Sequence, residues 1–457
     1  MSAEKHLGWG IGNWKADYKP RLPRLSDEEA ALVQEAAKNF IRESQNCEIN
    51  SKEEAQKMAA SCLEEACNQL SLGLDSQQQE YLSHIIYLQT HGAGFLEELL
   101  NDHSLEEIAI NGLGKPVFVY ERGKGWKKTA FFIDSQEYFV SLANRLARGL
   151  GRRLTASQPR LNAVLPDGSR IHASMPPISQ CELTIRRFSS EPMSLFSLVK
   201  SGTFGPKIIS MLSLAMQSDL SLLFSGNTAS GKTTTLNAML SCIPASERIL
   251  LIEETPEISI PHEHQIRLIP FYEGGISMTE LVRDSLRMRP DRVVVGEIRQ
   301  PDEARAFLEC CLSGQSKGNY ATFHAQSAQE ALLRMRMMGC QETDLPSISL
   351  IVVQRRVSVY DRSKRKIGET RKLTQIAIAD RANPLAPKTI FYGSKIATKG
   401  MHAFIELVSS YSSLSEKEVF QEMALREKLF SSNKKASFLQ AFQFIQSSLF
   451  GGGASEN

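Results

Sequence analysis

The sequence predicts an α/β protein in which a parallel sheet covered by helices follows a mixed α/β domain and an N-terminal helical bundle. Three observations carry this. Over residues 26–93 apolar side chains recur at helical spacing behind capping signals. Between 94 and 190 short β runs alternate with glycine turns, and beyond 207 strand and helix patterns alternate. The chain has 457 residues, room for about three structural units at roughly 150 residues each.

Composition narrows the function classes. Hydrophobic residues make up 42% and charged residues 23%, as in soluble globular proteins. Lys and Arg number 53 against 51 Asp and Glu, a net charge of +2, which disfavours a basic nucleic-acid coat or an acidic tail. No stretch reaches the roughly 20 apolar residues a membrane span needs. Met1–Gly10 lacks the apolar core of a secretory signal. The eight cysteines contain no C-x-x-C pair, which argues against a disulfide scaffold or a four-cysteine zinc site and for a cytoplasmic protein.

Residues 1–25 hold Gly, Trp and Pro without periodicity and read as an extended arm. Ser26-Asp27-Glu28-Glu29 is a capping box opening a helix with Ala30, Val33, Ala37, Phe40 and Ile41 on it. Ser51-Lys52-Glu53-Glu54 opens a second helix through Leu70, and a third runs over 76–91, completing the bundle of 26–93. Runs at 105–110, 116–120 and 130–133 predict antiparallel strands, followed by a helix bearing Leu142, Leu146 and Leu150. The sheet resumes at 162–165, 170–175 and 183–188, with hairpin chemistry at Pro166-Asp167-Gly168. Pro192, Gly202, Gly205 and Pro206 mark 191–206 as a linker. The α/β region of 207–400 follows: strands at 220–225, 248–252, 292–295 and 321–323, with helices from Lys232 and near 279–288. Strands at 352–360 and 372–378 flank a basic turn that reads as a solvated loop. Residues 401–450 are helical, with Phe at core spacing, and 451–457 form a disordered tail.

The chemistry starts at Gly226-Asn227-Thr228-Ala229-Ser230-Gly231-Lys232-Thr233, which matches G-x-x-x-x-G-K-[ST] between an apolar strand and a helix. Gly226 and Gly231 let backbone N–H groups approach phosphate oxygens, and the helix from Thr234 presents its unpaired N–H groups to the same anion. Lys232 adds a full charge at the β/γ-phosphates and Thr233 a hydroxyl for Mg²⁺. The expected ligands are ATP and Mg²⁺.

Two strands end in acids, Glu253-Glu254-Thr255-Pro256-Glu257 and Gly296-Glu297, and a third delivers His324. Singly, a strand-end Glu is usually a solvated charge and a lone His a structural residue. Three such groups at the carboxyl edge of one parallel sheet, behind a phosphate loop, point to a joint role, because ligands bind at that edge.

The ordered set 226–233, Ile252–Glu257, Val293–Arg299 and Thr322–His324, with Met288-Arg289-Pro290-Asp291 and Ser313-Gly314 beside it, resembles the secretion and pilus traffic ATPases. That superfamily drives type II and type IV secretion, type IV and tight-adherence pili, and the archaellum. The resemblance covers about 94–339 and implies a RecA-like ATPase domain behind a PAS-like α/β domain. It implies that Glu257 polarises the attacking water, that Glu297 holds Mg²⁺ or its water, and that His324 reports the γ-phosphate state. It also implies that arginines of the preceding domain face the phosphates, Arg170 and Arg186 foremost, with Arg160 and Arg187 behind them. A guanidinium fork placed there stabilises developing phosphate charge.

Both acids at 253 and 254 are Glu where the family pairs Glu with Asp, and Gln315 stands where His is common. The zinc cysteines of the type II branch are missing, which points to the pilus, archaellum or tight-adherence branches, and the expected member is an archaeal-type pilus or secretion ATPase. The implied assembly is a homohexamer, peripheral at the inner face of the cytoplasmic membrane. It would dock on a polytopic membrane platform protein and act indirectly on pilin-like subunits. The alternatives are a RecA-like nucleic-acid translocase, disfavoured by the balanced charge, and a non-catalytic nucleotide-sensing scaffold.

Overall fold

In the computed structural model, all residues are described except 1–3, 6–8, 13, 20–24, 48, 50, 188–191, 363–365, 433–435 and 452–457. Parts of the expected arm, linker, basic turn and C-terminal tail therefore lie outside the described residues. The chain forms two compact units, Met1–Ser189 and Ser190–Asn457.

The first unit opens with β1 (Glu4–Lys5) and β2 (Trp9–Ile11). Helices α1 (Asp27–Ser44), α2 (Lys52–Leu70) and α3 (Ser76–Thr90) follow. Ser26 and Glu29 close the capping box reciprocally, at 2.8 and 3.2 Å, and Ser51 caps α2 through the Glu54 amide. Leu32, Val33 and Phe40 of α1, Ala59 and Leu63 of α2, and Leu82 and Ile86 of α3 bury one shared core.

Next come α4 (Leu96–Asn101), β3 (Leu105–Asn111), β4 (Pro116–Glu121), β5 (Gly125–Ile133) and α5 (Gln136–Leu146). The unit ends with β6 (Arg160–Val164), β7 (Arg170–Ser174) and β8 (Glu182–Arg186). Its eight-stranded sheet has the order β1-β2-β5-β4-β3-β8-β7-β6, and every pairing is antiparallel. The arm expected at 1–25 is thus partly strand. Trp9 is buried against Phe95 and Phe131, with ring centroids 5.3 and 5.6 Å away, and that burial draws β2 onto β5.

The second unit begins with α6 (Leu195–Lys200) and α7 (Pro206–Gln217). A helix therefore occupies the segment expected as a linker. Ser194 caps it, and Leu195, Phe196 and Leu198 are buried in the second unit's core, so apolar burial outweighs the flanking Pro and Gly signals. The α/β elements follow: β9 (Leu222–Ser225), α8 (Lys232–Met239), β10 (Ile249–Ile252), β11 (Gln265–Leu268) and α9 (Met278–Ser285). After them come β12 (Arg292–Ile298), α10 (Pro301–Ser313), β13 (Gly318–Phe323) and α11 (Ala328–Met337). A long ribbon, β14 (Leu350–Asp361) with β15 (Lys366–Ile378), leads to β16 (Lys388–Tyr392) and β17 (Lys395–Ile396). Helices α12 (Thr398–Ser410), α13 (Glu416–Ser431) and α14 (Phe438–Phe450) close the unit, and Phe404, Val419, Phe430 and Ile445 pack into its core.

The sheet order is β11-β10-β12-β13-β9-β14-β15-β16-β17, parallel from β11 to β14 and antiparallel beyond. From β9 the chain crosses to β10, leaving room for two strands, and β12 and β13 later fill the gap. The carboxyl end of β9 therefore lies beside that of β13, with β12 and β10 following in order. Strands β9, β10 and β13 are buried at every position, as a parallel sheet covered on both faces requires.

The amino edge of the sheet holds a buried charge. Arg292 is 1% exposed and donates to Glu247 at 2.6 Å and to the Tyr320 hydroxyl at 3.0 Å, while Lys317 reaches Glu247 at 2.9 Å. Glu247→Ala would strand the guanidinium, and removing one partner of a buried pair costs about 3 kcal/mol or more. Chemical denaturation should show that loss. A change below about 1 kcal/mol would mean that Tyr320 and Asp219 satisfy Arg292 unaided.

Candidate nucleotide site

The loop joining β9 to α8 is built around two glycines. Gly226 has φ +156°, and a Cβ there would lie 1.9 Å from the Gln354 carbonyl oxygen. Gly231 has φ +91°, and its Cβ would meet Gln354 Nε2 at 2.9 Å. No side chain fits at 226, and at 231 the backbone is left-handed as well as crowded. Between them Asn227, Thr228, Ala229 and Ser230 form the turn, and Thr233 and Thr234 begin α8 behind Lys232. The Ser230 hydroxyl is buried with no hydrogen-bond partner among the described residues. A tight glycine loop with an orphaned hydroxyl, opening a helix, fits an anionic ligand.

Lys232 is only 7% exposed. Its Nζ donates to the Gly226 and Asn227 carbonyls at 3.2 and 3.3 Å and lies 3.5 Å from His324 Nδ1. His324 Nε2 in turn sits 2.5 Å from Glu297 Oε1. With Nδ1 accepting from the ammonium, Nε2–H is the tautomer that donates to the carboxylate. Glu297 also pairs with Arg299 at 2.6 Å, and Arg299 reaches on to Glu254. A continuous polar chain thus runs from the phosphate loop across the ends of β13 and β12 towards β10.

Burial opposes ionisation of Glu297, but the His324 hydrogen bond and the Arg299 guanidinium overcome it and hold its carboxyl at about 2. A cavity of about 320 Å³ adjoins the chain, with Thr228, Arg299, His324 and Arg334 among its lining.

Glu253 behaves differently. It is 1% exposed, and burial pushes its carboxyl above the usual range, opposed by the Glu257 and Ile258 amides and by Arg267. Those amides donate to Glu253 Oε1 at 2.9 and 3.0 Å, Arg267 lies 3.4 Å away, and the Ser259 amide donates to Asn237 of α8 at 2.9 Å. The loop carrying Glu257 is therefore pinned at Glu257–Ser259, to Glu253 on one side and to α8 on the other. Gly296 belongs to the same packing, since a Cβ there would lie 3.0 Å from Glu253 Cγ.

Lys232, Glu297 and His324 are in direct sequence along the carboxyl edge, and Glu257 is on the fixed loop beside them. Arg170 and Arg186 lie in the first unit as cross-strand neighbours on β7 and β8, with Arg186 also opposite Glu107 of β3. Arg187 is turned to the Asp102 carbonyl, and Arg160 opens β6 opposite Ser174.

In the sequence Arg283, Arg287, Arg289, Arg292 and Arg299 form a cluster around β12, open either to contacts across a subunit boundary or to helix-face solvation with ion pairs. The structure instead buries Arg292 and makes Arg299 the bridge between Glu254 and Glu297. The two-residue spacing of Glu297 and Arg299 on one strand face was the available signal. Gln354 was missed as well; a Gln ending the apolar run Leu350–Val353 marks its position.

Strand order and edge chemistry define a RecA-like α/β protein of the ATP-binding class. The chain belongs to the type II/IV secretion system protein family, whose model matches residues 89–441. A 251-residue stretch is 38% identical to the uncharacterized protein MJ0781 of Methanocaldococcus jannaschii, covering 51% of this chain and 34% of that protein. The type IV secretion system protein PtlH homolog of Bordetella bronchiseptica is 32% identical over 276 residues, 54% of this chain and 80% of the relative. The Legionella pneumophila ATPase DotB superposes with a TM-score of 0.47 at 18% identity, over 75% of this chain and 88% of that one. The chain spans a third to a half of the first curated relatives it matches, 34% and 53% of their lengths.

The Glu297 carboxyl, held at about 2 against an ordinary 4.5, is stabilising while ionised. That contribution is complete above about pH 4.5 and fades as the pH falls towards 2. Denaturant midpoints of the wild type and Glu297→Gln should therefore differ by a constant amount at pH 6–7 and converge below about pH 4.5. A gap that persists undiminished to pH 3 would rule out an ionised Glu297 as its source.

Proposed function

We propose that this chain is a Mg²⁺-dependent ATPase that acts as the motor of a secretion or pilus machine. One observation carries the reading. The phosphate loop's Lys232 is wired through His324 to Glu297, whose carboxyl is held well below its ordinary range, and that is the arrangement a triphosphate and its metal would engage. Family membership supports the same class of activity.

In this reading Gly226–Thr234 cradle the phosphates, and Lys232 exchanges its two carbonyl contacts for β- and γ-phosphate oxygens. The Thr233 hydroxyl and Glu297 would hold Mg²⁺, which would supply charge neutralisation at those phosphates. Glu257 orients the attacking water. Withdrawing Lys232 towards phosphate also removes the cation from His324 Nδ1, so the histidine senses whether the γ-phosphate is present. Arg170 and Arg186 are assigned to the phosphates as the charge-stabilising arginines, from the same chain or a neighbouring copy. Hydrolysis then weakens the attraction that holds units together, which is the route from chemistry to motion. A homohexamer docked on a membrane platform protein and moving pilin-like subunits completes the proposal. Among the described residues no helix is long and apolar enough to cross a membrane.

Steady-state turnover tests the chemistry. Lys232→Ala, Glu257→Gln and Glu297→Gln should each reduce turnover by about 10²-fold or more, and Arg170→Ala or Arg186→Ala by about 10³-fold with ATP still bound. Unchanged turnover in the Glu variants would leave a nucleotide-sensing scaffold. Strong stimulation by single-stranded DNA would favour a translocase. Mass measurement with ATP present should give six copies of the 50.9 kDa chain; a monomer at all concentrations would refute the ring.

A further inference from the structure

The phosphate loop is gripped from its outer side by the β14–β15 ribbon. The grip follows from register. Leu350–Val353 of β14 pair in parallel with Leu222–Ser225 of β9, so the next residue, Gln354, falls opposite Gly226, where the loop begins. The β14–β15 register slips at this point, with Val353 opposite Gln375 and Gln354 opposite Leu373, which leaves Thr374 as a bulge.

Gln354 is 3% exposed, and both ends of its amide are used. Nε2 donates to the Ser230 carbonyl at 2.8 Å, and Oε1 accepts from the Thr235 hydroxyl on α8 at 2.6 Å. Further along the ribbon the Arg356 amide donates to Asn227 Oδ1 at 3.0 Å. From the other strand, Arg371 Nε donates to the Ala229 carbonyl at 3.0 Å.

These contacts fall on the carbonyls and side chain of the loop rather than on its amides. In a phosphate loop the amides must point inward and converge on the anion, so the carbonyls that Lys232 does not take, those of Ala229 and Ser230, turn to the ribbon. The buried Ser230 carbonyl needs a donor, which Gln354 supplies, and Arg371 adds one to the more exposed Ala229 carbonyl.

We propose that Gln354, assisted by Arg371, is the positioning residue that holds the loop in its phosphate-binding shape before any nucleotide arrives. This rests on the nucleotide reading above and goes beyond it by assigning the loop's preorganisation to the ribbon. A loosened loop binds the ground state and the transition state equally poorly, so its loss falls on KM and leaves kcat nearly untouched. A residue needed for the fold alone would lower the stability of the nucleotide-free protein without that split.

The test uses the full-length chain, with a fluorescent ATP analogue for affinity and steady-state ATPase assays for KM and kcat. Gln354→Met fills the same volume without either hydrogen bond. It should raise the dissociation constant and KM about tenfold, with kcat within about threefold of wild type. Gln354→Glu keeps the acceptor for Thr235 but loses the donor to Ser230, and its KM should also rise. Combining Gln354→Met with Thr235→Val should cost less than the sum of the two, because they share one bond. Wild-type KM in Gln354→Met overturns the proposal, as does a fall in kcat with KM unchanged. If Gln354→Met does not fold, exposed Arg371→Ala decides: KM raised about threefold supports the grip, and unchanged KM refutes it. A wild-type chain that binds the analogue no better than Lys232→Ala would instead refute the nucleotide reading, and this inference with it.

Discussion

An ammonium that is almost fully enclosed must be compensated, and the compensation of Lys232 organises the site. Taking a cation out of water is costly unless oxygen or nitrogen acceptors replace the lost hydration. Lys232 finds two loop carbonyls and His324 Nδ1. Its charge is answered one step further away, by Glu297 through the same imidazole. The histidine is therefore less a ligand than a spacer.

That spacing is possible because of how the sheet is wound. β13 lies between β9 and β12, so a residue just past the end of β13 falls between the loop after β9 and the acid on β12. The Thr322 hydroxyl donates to the Gly296 carbonyl at 2.6 Å and ties the two strand ends together just before His324. Gly296 leaves room for Glu253, whose buried carboxylate receives two amides of the loop carrying Glu257. Four strands each contribute one part of the site, and register is what aligns them.

Much of this was legible in the sequence, and the reason is local. The phosphate loop, the capping boxes at Ser26 and the alternation beyond 207 are short-range patterns, each set by backbone demands within a few residues. Parallel strands that carry polar groups at their ends also announce an edge, so Glu297 and His324 could be placed without coordinates. What the sequence hid depends on pairing between distant segments. Gln354 is one polar residue after an apolar run, and its meaning comes only from lying opposite Gly226 across a parallel pair. The burial of Arg292 was hidden in the same way, because nothing local shows that Glu247 and Tyr320 converge on it. The 191–206 stretch misled for the opposite reason: its Pro and Gly signals were local, while the burial of Leu195, Phe196 and Leu198 was not.

The two edges of the parallel sheet divide their work by how replaceable their contacts are. At the amino edge the Arg292 guanidinium is buried among Glu247, Tyr320 and Asp219, so losing a partner there leaves a charge out of reach of water. At the carboxyl edge Lys232 is held by neutral carbonyls at 3.2 and 3.3 Å, contacts that phosphate oxygens would improve on, since ionised acceptors bind an ammonium more strongly. The ribbon's donors engage the loop's remaining carbonyls from outside, so Lys232 can leave two of its partners without the loop collapsing into the space they vacate. A rigid amino edge and a loop held by the ribbon would let one side chain exchange partners at little cost to the fold, and the proposed binding and release of phosphate would depend on that exchange.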